Sequence, residues 1–211
     1  GLRRPKQPIA GREFAGEVLG VDFELGGTRF FAINAGPQFP INPSISFMLN
    51  FDPSRDPAAR GHLDELWEKL SDGGGALMPL DSYDFSRHYG WVRDRYGVAW
   101  QLILSDPDGD PRPFVIPSLL FGGPAQNRAG EALEFYQQVF ADSRPGIVAR
   151  YEQQTGSAGP DALMFADLQL FGQWLALMDS GVDQDFTFNP GVSLALACAD
   201  QAEIDHFWRQ L

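Results

Sequence analysis

Apolar and polar residues follow two different periods along the chain. The string GEALEFYQQVF places Ala132, Phe135, Tyr136 and Val139 at i, i+3, i+4 and i+7, which predicts a helix with one apolar face. Two more strings have helical spacing, RGHLDELWEKL and DQAEIDHFWRQL, and Asp200 is the predicted N-cap of the second. Short apolar runs bounded by Gly, Pro and Ser predict the strands ALMPL, YGWVRD, VAWQLILS, VIPSLLFGG, GIVARYE, ALMFADLQL, QWLALMDSG and VSLALACA. Short helices among many strands favour an α+β fold.

The same order of elements occurs twice in the sequence. Three pairs of segments match in order: VDFELGGTRFFAIN (21–34) with ADLQLFGQWLALMD (166–179), FPINPSIS (39–46) with FTFNPGVS (186–193), and HLDELWEKL (62–70) with EIDHFWRQL (203–211). The matches share turn residues, apolar alternation and a Trp at one helical position, so they predict two homologous copies. We expect a complete copy to be one βαβββ unit followed by another.

A segment rich in Pro, Gly and Asp, SDPDGDPRP, is the predicted boundary between the copies. We predict a first domain at 1–104, a linker at 105–112 and a second domain at 113–211. Residues 113–148 have no counterpart before the first copy, and residues 71–112 have none after the second. The repeat therefore predicts that the opening strand and helix of the first domain, and the closing strands of the second, lie outside this sequence.

Charge and cysteine content narrow the classes of partner. Acidic residues outnumber basic ones 28 to 16, and the formal net charge of −12 disfavours nucleic acid and anionic membrane surfaces as partners. The one cysteine, Cys198, lies in an apolar run, so neither a disulfide framework nor a thiolate zinc site is predicted. Apolar runs stay below the roughly 18 residues of a membrane span. These features predict a cytoplasmic protein.

Several motifs resemble those of the vicinal-oxygen-chelate superfamily, which contains glyoxalases, bleomycin-resistance proteins and ring-cleaving dioxygenases. They are FFAINAGPQF with NPSIS, the acidic helix that ends in a Trp and a Leu, and GWVRDRYGVAWQLIL. The most specific is GWxxDxxGxxWQ at 90–101, and the closest resemblance is to the PhnB-like branch. The repeated FxxNPxxS and the ending EIDHFW are similar to its tandem members. The resemblance implies tandem glyoxalase-like domains of paired βαβββ units with curved antiparallel sheets.

The name 3-demethylubiquinone methyltransferase is common in this branch, and the sequence permits a physical test of it. A methyltransferase of the common type needs a glycine-rich loop between a strand and a helix, followed by an acidic residue on the next strand. The glycine triplet at 73–75 instead follows a predicted helix. We interpret it as a helix cap and turn, so methyl transfer is not the predicted activity.

Enzymes of the superfamily usually hold a divalent metal with His and Glu side chains from the first and last strands of each unit. The position that commonly carries Glu, seven residues after Asp94, holds Gln101 here. Ser46 and Ser193 stand on strands that often begin with a ligand His. Pro117 or Ser118 occupies the corresponding position on the opening strand of the second copy. Asp179 is the one carboxylate close to a ligand position. The resemblance therefore implies no complete metal site, and we predict no metal and no other cofactor.

A group of polar and aromatic side chains is the candidate ligand site. The predicted ligand-binding residues are Asn34, Asn42, Ser46, Trp91, Trp100, Gln101, Trp174, Asp179, Asn189 and Ser193, with Phe30 and Phe186 as further apolar walls. Small-molecule pockets typically combine aromatic walls with a few polar groups in this way. The alternative is that the Asn-Pro pairs are turn residues and the aromatic residues belong to the core.

The leading functional hypothesis is a metal-free protein that binds a small molecule in an apolar pocket, with no catalytic residue identified. A metal-dependent lyase, isomerase or dioxygenase of the superfamily is the first alternative. The second is a scaffold whose second domain replaces the partner subunit of a homodimer. A homodimer of the chain itself is also compatible with the sequence.

Overall fold

The computed structural model describes residues 18–34 and 36–211, together with the backbone of residues 2–3. Residues 1, 4–17 and 35, which belong to the predicted first domain, lie outside the described residues. The elements in chain order are β1 (Leu2–Arg3), β2 (Gly20–Leu25), β3 (Thr28–Ile33), β4 (Ile45–Phe51), α1 (Ala59–Ser71), β5 (Gly75–Tyr83), β6 (Ser86–Arg93), β7 (Ala99–Leu104), β8 (Val115–Phe121), a 3-10 helix (Gly123–Ala125), α2 (Ala129–Val139), β9 (Arg144–Arg150), β10 (Leu163–Leu170), β11 (Gln173–Asp179) and α3 (Gln201–Gln210).

Two βαβββ units form one eight-stranded sheet in the order β5-β6-β7-β4-β8-β11-β10-β9. The first unit runs from β4 to β7 and the second from β8 to β11, which confirms the predicted α+β fold of paired units. The expectation of antiparallel sheets needs one correction, because β4 is parallel to β7 and β8 is parallel to β11. Each unit brings its last strand beside its first in the same direction, so the sheet is mixed.

The two units meet where β4 pairs with β8 in antiparallel register. The sheet thus joins strands from both sides of the predicted linker, while β1, β2 and β3 form a separate three-stranded sheet. The domain boundaries drawn from the repeat stay predictions.

Helices α1 and α2 cover one face of the large sheet, which we call the helix face. Leu63 of α1 packs with Leu49 and Leu102, whereas Leu133 of α2 packs with Leu119 and Leu177. These contacts remove the apolar stripes of both helices from water, which is the main stabilising contribution of short helices. The predicted cap of α3 is confirmed, since the Asp200 carboxylate accepts a hydrogen bond from the Glu203 N–H at 3.0 Å.

One predicted strand is absent from the described residues. VSLALACA (192–199) has no strand conformation, and Leu194 and Leu196 are exposed. Its counterpart in the repeat, β4, is held by ladders to both β7 and β8. The described chain places no such partner beside 192–199, and an apolar run without a ladder partner does not become a strand.

Glycine at position 90 permits a close contact between α1 and β6. A Cβ at Gly90 would lie 2.5 Å from Cζ3 of Trp67, whereas a Cβ at Gly61, on the exposed side of α1, would meet no atom within 4 Å. We expect Gly90→Ala to lower the free energy of unfolding by about 1–3 kcal/mol through overpacking. Gly61→Ala should raise it by about 0.5–1 kcal/mol, because alanine loses less backbone entropy in a helix. Urea unfolding of both variants tests this, and a neutral Gly90→Ala would contradict the contact.

Candidate functional site

The face of the large sheet opposite the helices, which we call the central face, carries a line of large side chains. Strand register sets Trp91 beside Gln101, Gln101 beside Met48, and Met48 beside Ile116. Trp174 of β11 packs against the same cluster. Lateral neighbours in a sheet share one face, so this line crosses from β6 to β11 with a polar residue near its centre. The structure thus brings the predicted residues Trp91, Gln101 and Trp174 onto one surface.

Gln101 is the centre of a buried group of four polar side chains. Its Nε2 donates to Ser46 Oγ at 2.8 Å and to Ser118 Oγ at 3.3 Å, and its Oε1 accepts from the Tyr89 hydroxyl at 2.8 Å. Gln101, Ser46 and Ser118 are each 1% exposed. A buried polar group is costly unless it is hydrogen-bonded, and this arrangement satisfies the amide of Gln101 on both ends.

Three donor hydrogens near Gln101 have no acceptor among the described residues. Trp91 Nε1 is buried without a hydrogen-bond partner there. Ser46 and Ser118 accept from Gln101, and neither hydroxyl donates to another described residue. Because a serine hydroxyl has one hydrogen besides its acceptor lone pairs, each serine retains a donor.

Aromatic rings continue the central face beyond Gln101. Tyr89 makes edge-to-face contacts with Tyr83 and Phe85, at centroid distances of 5.7 and 5.0 Å. Burial raises the pKa of Tyr89 above its ordinary value, so its phenol is neutral and remains a donor to Gln101 at physiological pH. Phe85 is 61% exposed and marks the outer end of this aromatic cluster.

An ion pair fixes the end of the predicted linker to the other side of the central face. Arg112 Nε donates to Asp167 Oδ2 at 2.8 Å, and its guanidinium lies 3.9 Å from the centroid of the Trp174 ring. The Arg112 and Asp167 side chains are 13% and 3% exposed. Asp167 Oδ1 also accepts the Ile147 N–H. Charge and stacking together position the end of the linker over β10 and β11.

Trp100 lies on the helix face rather than beside Trp91. Its ring is 5.4 Å from that of Phe47, which contacts Phe30, and its Nε1 donates to Asp94 Oδ2 at 2.9 Å. Successive residues of a strand point to opposite faces, so Trp100 and Gln101 are on different sides of the sheet. The predicted aromatic wall of Phe30, Trp91 and Trp100 is therefore divided between two faces.

Asp179 also faces the helix side. Its carboxylate accepts from the Ala129 N–H at 3.2 Å and the Leu163 N–H at 2.9 Å, so it joins the start of α2 to β10. Burial raises the pKa of Asp179, although its hydrogen bonds from backbone N–H groups oppose that shift. It borders a cleft of about 320 Å³ together with Arg150 and Asp161. The structure does not bring Asp179 together with Gln101.

The predicted asparagines Asn42 and Asn189 connect the two copies to each other. Asn42 Nδ2 donates to the Thr187 carbonyl, and Asn189 Nδ2 donates to the Pro40 carbonyl, each at 3.0 Å. Each side-chain oxygen accepts a backbone N–H two residues later, which is the turn role considered for Asn-Pro pairs.

The remaining predicted residues lie away from the central face. The Asn34 side chain is exposed and donates to the Val18 carbonyl at 2.8 Å. Ser193 is exposed in the irregular segment after the second FxxNP motif, and Phe186 is partly buried just before that motif. As ligand-binding residues, all ten side chains stay predictions, and Ser46, Trp91, Gln101 and Trp174 are the ones that the fold brings to one face.

The residues of the central face do not fit a divalent metal. Ser46, Gln101 and Ser118 are neutral and bind one another, whereas the carboxylate of Asp179 is on the other side of the sheet. The described residues contain no group of three or more His, Cys, Asp or Glu that could hold a metal ion. His88 lies on the helix side, with Nε2 2.5 Å from Asp64 Oδ1. Protein sites for divalent metals use several convergent charged or imidazole donors, which this face lacks.

Tyr89 was not among the predicted site residues, and Ser118 was predicted only as a residue of a strand opening. The strand period contained a signal for Tyr89, because it precedes Trp91 by two residues and so shares its face. No comparable signal links Ser118 to Gln101, since their contact depends on the pairing of β4 with β8.

Comparisons with known proteins agree with the repeat. The chain matches the sequence profile of the family described as 3-demethylubiquinone-9 3-methyltransferase twice, over residues 4–103 and 113–211. A comparison with curated proteins gives no match. None of the helices in the described ranges has the length and hydropathy of a membrane span.

Three solved structures illustrate the likeness. The PhnB protein of Bacillus cereus is 32% identical, with 50% of this chain and 77% of that chain covered and a TM-score of 0.42. A protein from Pseudomonas aeruginosa is 23% identical over 46% and 69%, with a TM-score of 0.38. Glyoxalase I from Zea mays is 14% identical over 74% and 50%, with a TM-score of 0.45. Because one family profile covers nearly the whole chain in two repeats, the protein belongs to the PhnB-like 3-demethylubiquinone-9 3-methyltransferase family and contains two copies of its profile.

Proposed function

We propose that the protein binds a small, mainly apolar molecule on the central face of its eight-stranded sheet, without a metal ion. The observation that carries this proposal is the buried polar group around Gln101, whose neighbours along the central face are Trp, Met, Ile and Phe side chains up to the Arg112–Asp167 ion pair. Apolar surfaces with a few fixed polar groups are the usual composition of ligand sites. The polar group would orient the ligand, and the apolar side chains would supply most of the affinity.

The family description names a methyl transfer, and the glycine triplet does not support it. The triplet follows α1, where Gly73 has φ +72° and ends the helix, instead of standing between a strand and a helix. Ligand binding requires no such loop. A cytoplasmic location stays a prediction from the single cysteine.

One observation favours the scaffold hypothesis beside ligand binding. The copies contact each other through β4 and β8 and through the reciprocal bonds of Asn42 and Asn189. We propose that the second copy serves as a built-in partner of the first. Because the β4–β8 junction also carries Ser46 and Ser118, the pseudo-dimer and the ligand site are parts of one arrangement.

Methyl-detected NMR of the full chain, titrated with acetophenone and with ethylbenzene, tests the proposed site. We expect the methyl signals of Met48 and Ile116 to shift with at least one probe. The methyl signals of Leu49 and Val115 are internal controls, because these residues follow or precede them in the same strands and face the helices. Equal shifts in both pairs, or no shift with either probe at millimolar concentration, would overturn the proposed function.

A further inference from the structure

We infer that the ligand of the central face is an uncharged molecule with a carbonyl-type oxygen, bound through Trp91 Nε1 and the hydroxyls of Ser46 and Ser118. This inference rests on the proposed function and specifies its ligand class. It follows from the hydrogen-bond balance and the charge balance of the side chains around Gln101.

The hydrogen-bond balance favours an acceptor on the ligand. Trp91 Nε1 is a donor only, and it is buried without a partner among the described residues. Ser46 and Ser118 use their lone pairs for Gln101 and retain their hydroxyl hydrogens. A buried donor without an acceptor is destabilising, so a ligand oxygen that accepts from one of these groups gains more than the same oxygen would in water.

The charge balance favours a neutral ligand. The guanidinium of Arg112, which lies over the Trp174 ring on this face, is paired with the carboxylate of Asp167. Arg93 and Asp81 pair in register with Ala99 and Tyr89, and both are exposed near the outer strands. A carboxylate ligand beside Gln101 would therefore lose its hydration where the described residues place no buried, unpaired cation, because Arg93 stays in water at the edge of this face.

Two methionine side chains border Trp91 and Gln101 and would move to admit a ligand. Met78 pairs with Trp91 on the outer side, and Met48 pairs with Gln101 on the inner side. Methionine adapts its shape at low cost because its side chain is unbranched. Trp91 itself is only partly buried. It lies on β6 together with Tyr89, which contacts Phe85. Phe85 is exposed, so this aromatic cluster reaches the surface.

Three probes of similar size separate these possibilities in NMR titrations of the full chain. They are acetophenone, which has a carbonyl, ethylbenzene, which has no acceptor, and benzoate, which is charged. We expect acetophenone to bind about threefold to tenfold more tightly than ethylbenzene, and benzoate to bind most weakly. Equal or tighter binding of ethylbenzene or benzoate overturns the inference and leaves the proposed function in place. No binding of any probe overturns the proposed function and the inference with it.

A matched pair of variants identifies the donor. Trp91→Phe keeps an aromatic ring and removes the N–H, so we expect it to weaken acetophenone binding by about threefold to tenfold and to leave ethylbenzene binding unchanged. Trp208→Phe replaces a Trp of α3 that is 85% exposed, and it should change neither affinity. An equal loss for acetophenone and ethylbenzene in Trp91→Phe would show that the ring, not the N–H, contributes to binding, and would contradict the role assigned to Trp91. The comparison of the three probes on the unmodified chain decides the inference even if a variant fails to fold.

Discussion

Replacing Arg112 by methionine is expected to lower the free energy of unfolding by about 3–5 kcal/mol. The reason is that Asp167, whose side chain is 3% exposed, would keep its charge without the guanidinium that now pairs with it. Methionine preserves much of the apolar length of arginine, so the loss would report the charge more than the packing over Trp174. Urea unfolding followed by tryptophan fluorescence and by far-ultraviolet circular dichroism measures the change.

Two further variants show whether the buried charge is the cause. Adding Asp167→Asn to Arg112→Met removes that charge and retains an oxygen for the Ile147 N–H, so the double variant should recover a large part of the loss. Arg128→Met breaks an ion pair with Glu131 in which both side chains are more than half exposed, and it should cost under about 1 kcal/mol. If the double variant were no more stable than Arg112→Met, the loss would come from packing instead.

Asp179→Ala should lower the free energy of unfolding by about 2–4 kcal/mol. The substitution leaves the N–H groups of Ala129 and Leu163 buried without their acceptor, and each such group costs about 1–3 kcal/mol. Asp185→Ala, on an exposed loop, is the control and should change stability by no more than about 0.5 kcal/mol. An equal effect of the two substitutions would contradict the bridging role of Asp179.

The pH dependence of Asp179→Asn separates charge from hydrogen bonding. Burial raises the pKa of Asp179 above the 3.8 of an ordinary aspartate, so the folded protein binds this proton more tightly than the unfolded chain does. The stabilisation from the protonated side chain is present at low pH and is lost as the pH rises through the folded pKa. The stability of the wild type relative to Asp179→Asn should therefore increase as the pH falls toward 3.8. A difference that does not change with pH would contradict the raised pKa.

Periodicity and the internal repeat predicted most of the fold, because both are local properties of the chain. The spacing of apolar residues located α1, α2 and α3, and the repeat predicted paired βαβββ units. The segment 192–199 was predicted wrongly as a strand, since a strand depends on ladder partners that its own sequence does not specify.

The candidate site was harder to predict because it depends on which way each side chain faces. Asp179 was grouped with Gln101 by position, yet a shift of one residue in a strand moves a side chain to the other face. Trp100 was assigned to the same wall as Trp91 for a similar reason. The contact of Gln101 with Ser118 depends on the pairing of β4 with β8 across the linker, which no local pattern encodes.

The reciprocal bonds of Asn42 and Asn189 have a consequence for how this protein can diverge. Each copy donates one asparagine hydrogen bond to a backbone carbonyl of the other copy, and such paired contacts are typical of a two-fold interface between identical subunits. In a symmetric dimer, one mutation changes both contacts at once. In this chain the two asparagines are separate codons, so either half of the interface can change while the other is kept. Duplication in tandem thus releases the two halves from symmetry, and one copy is free to specialise while the other preserves the assembly.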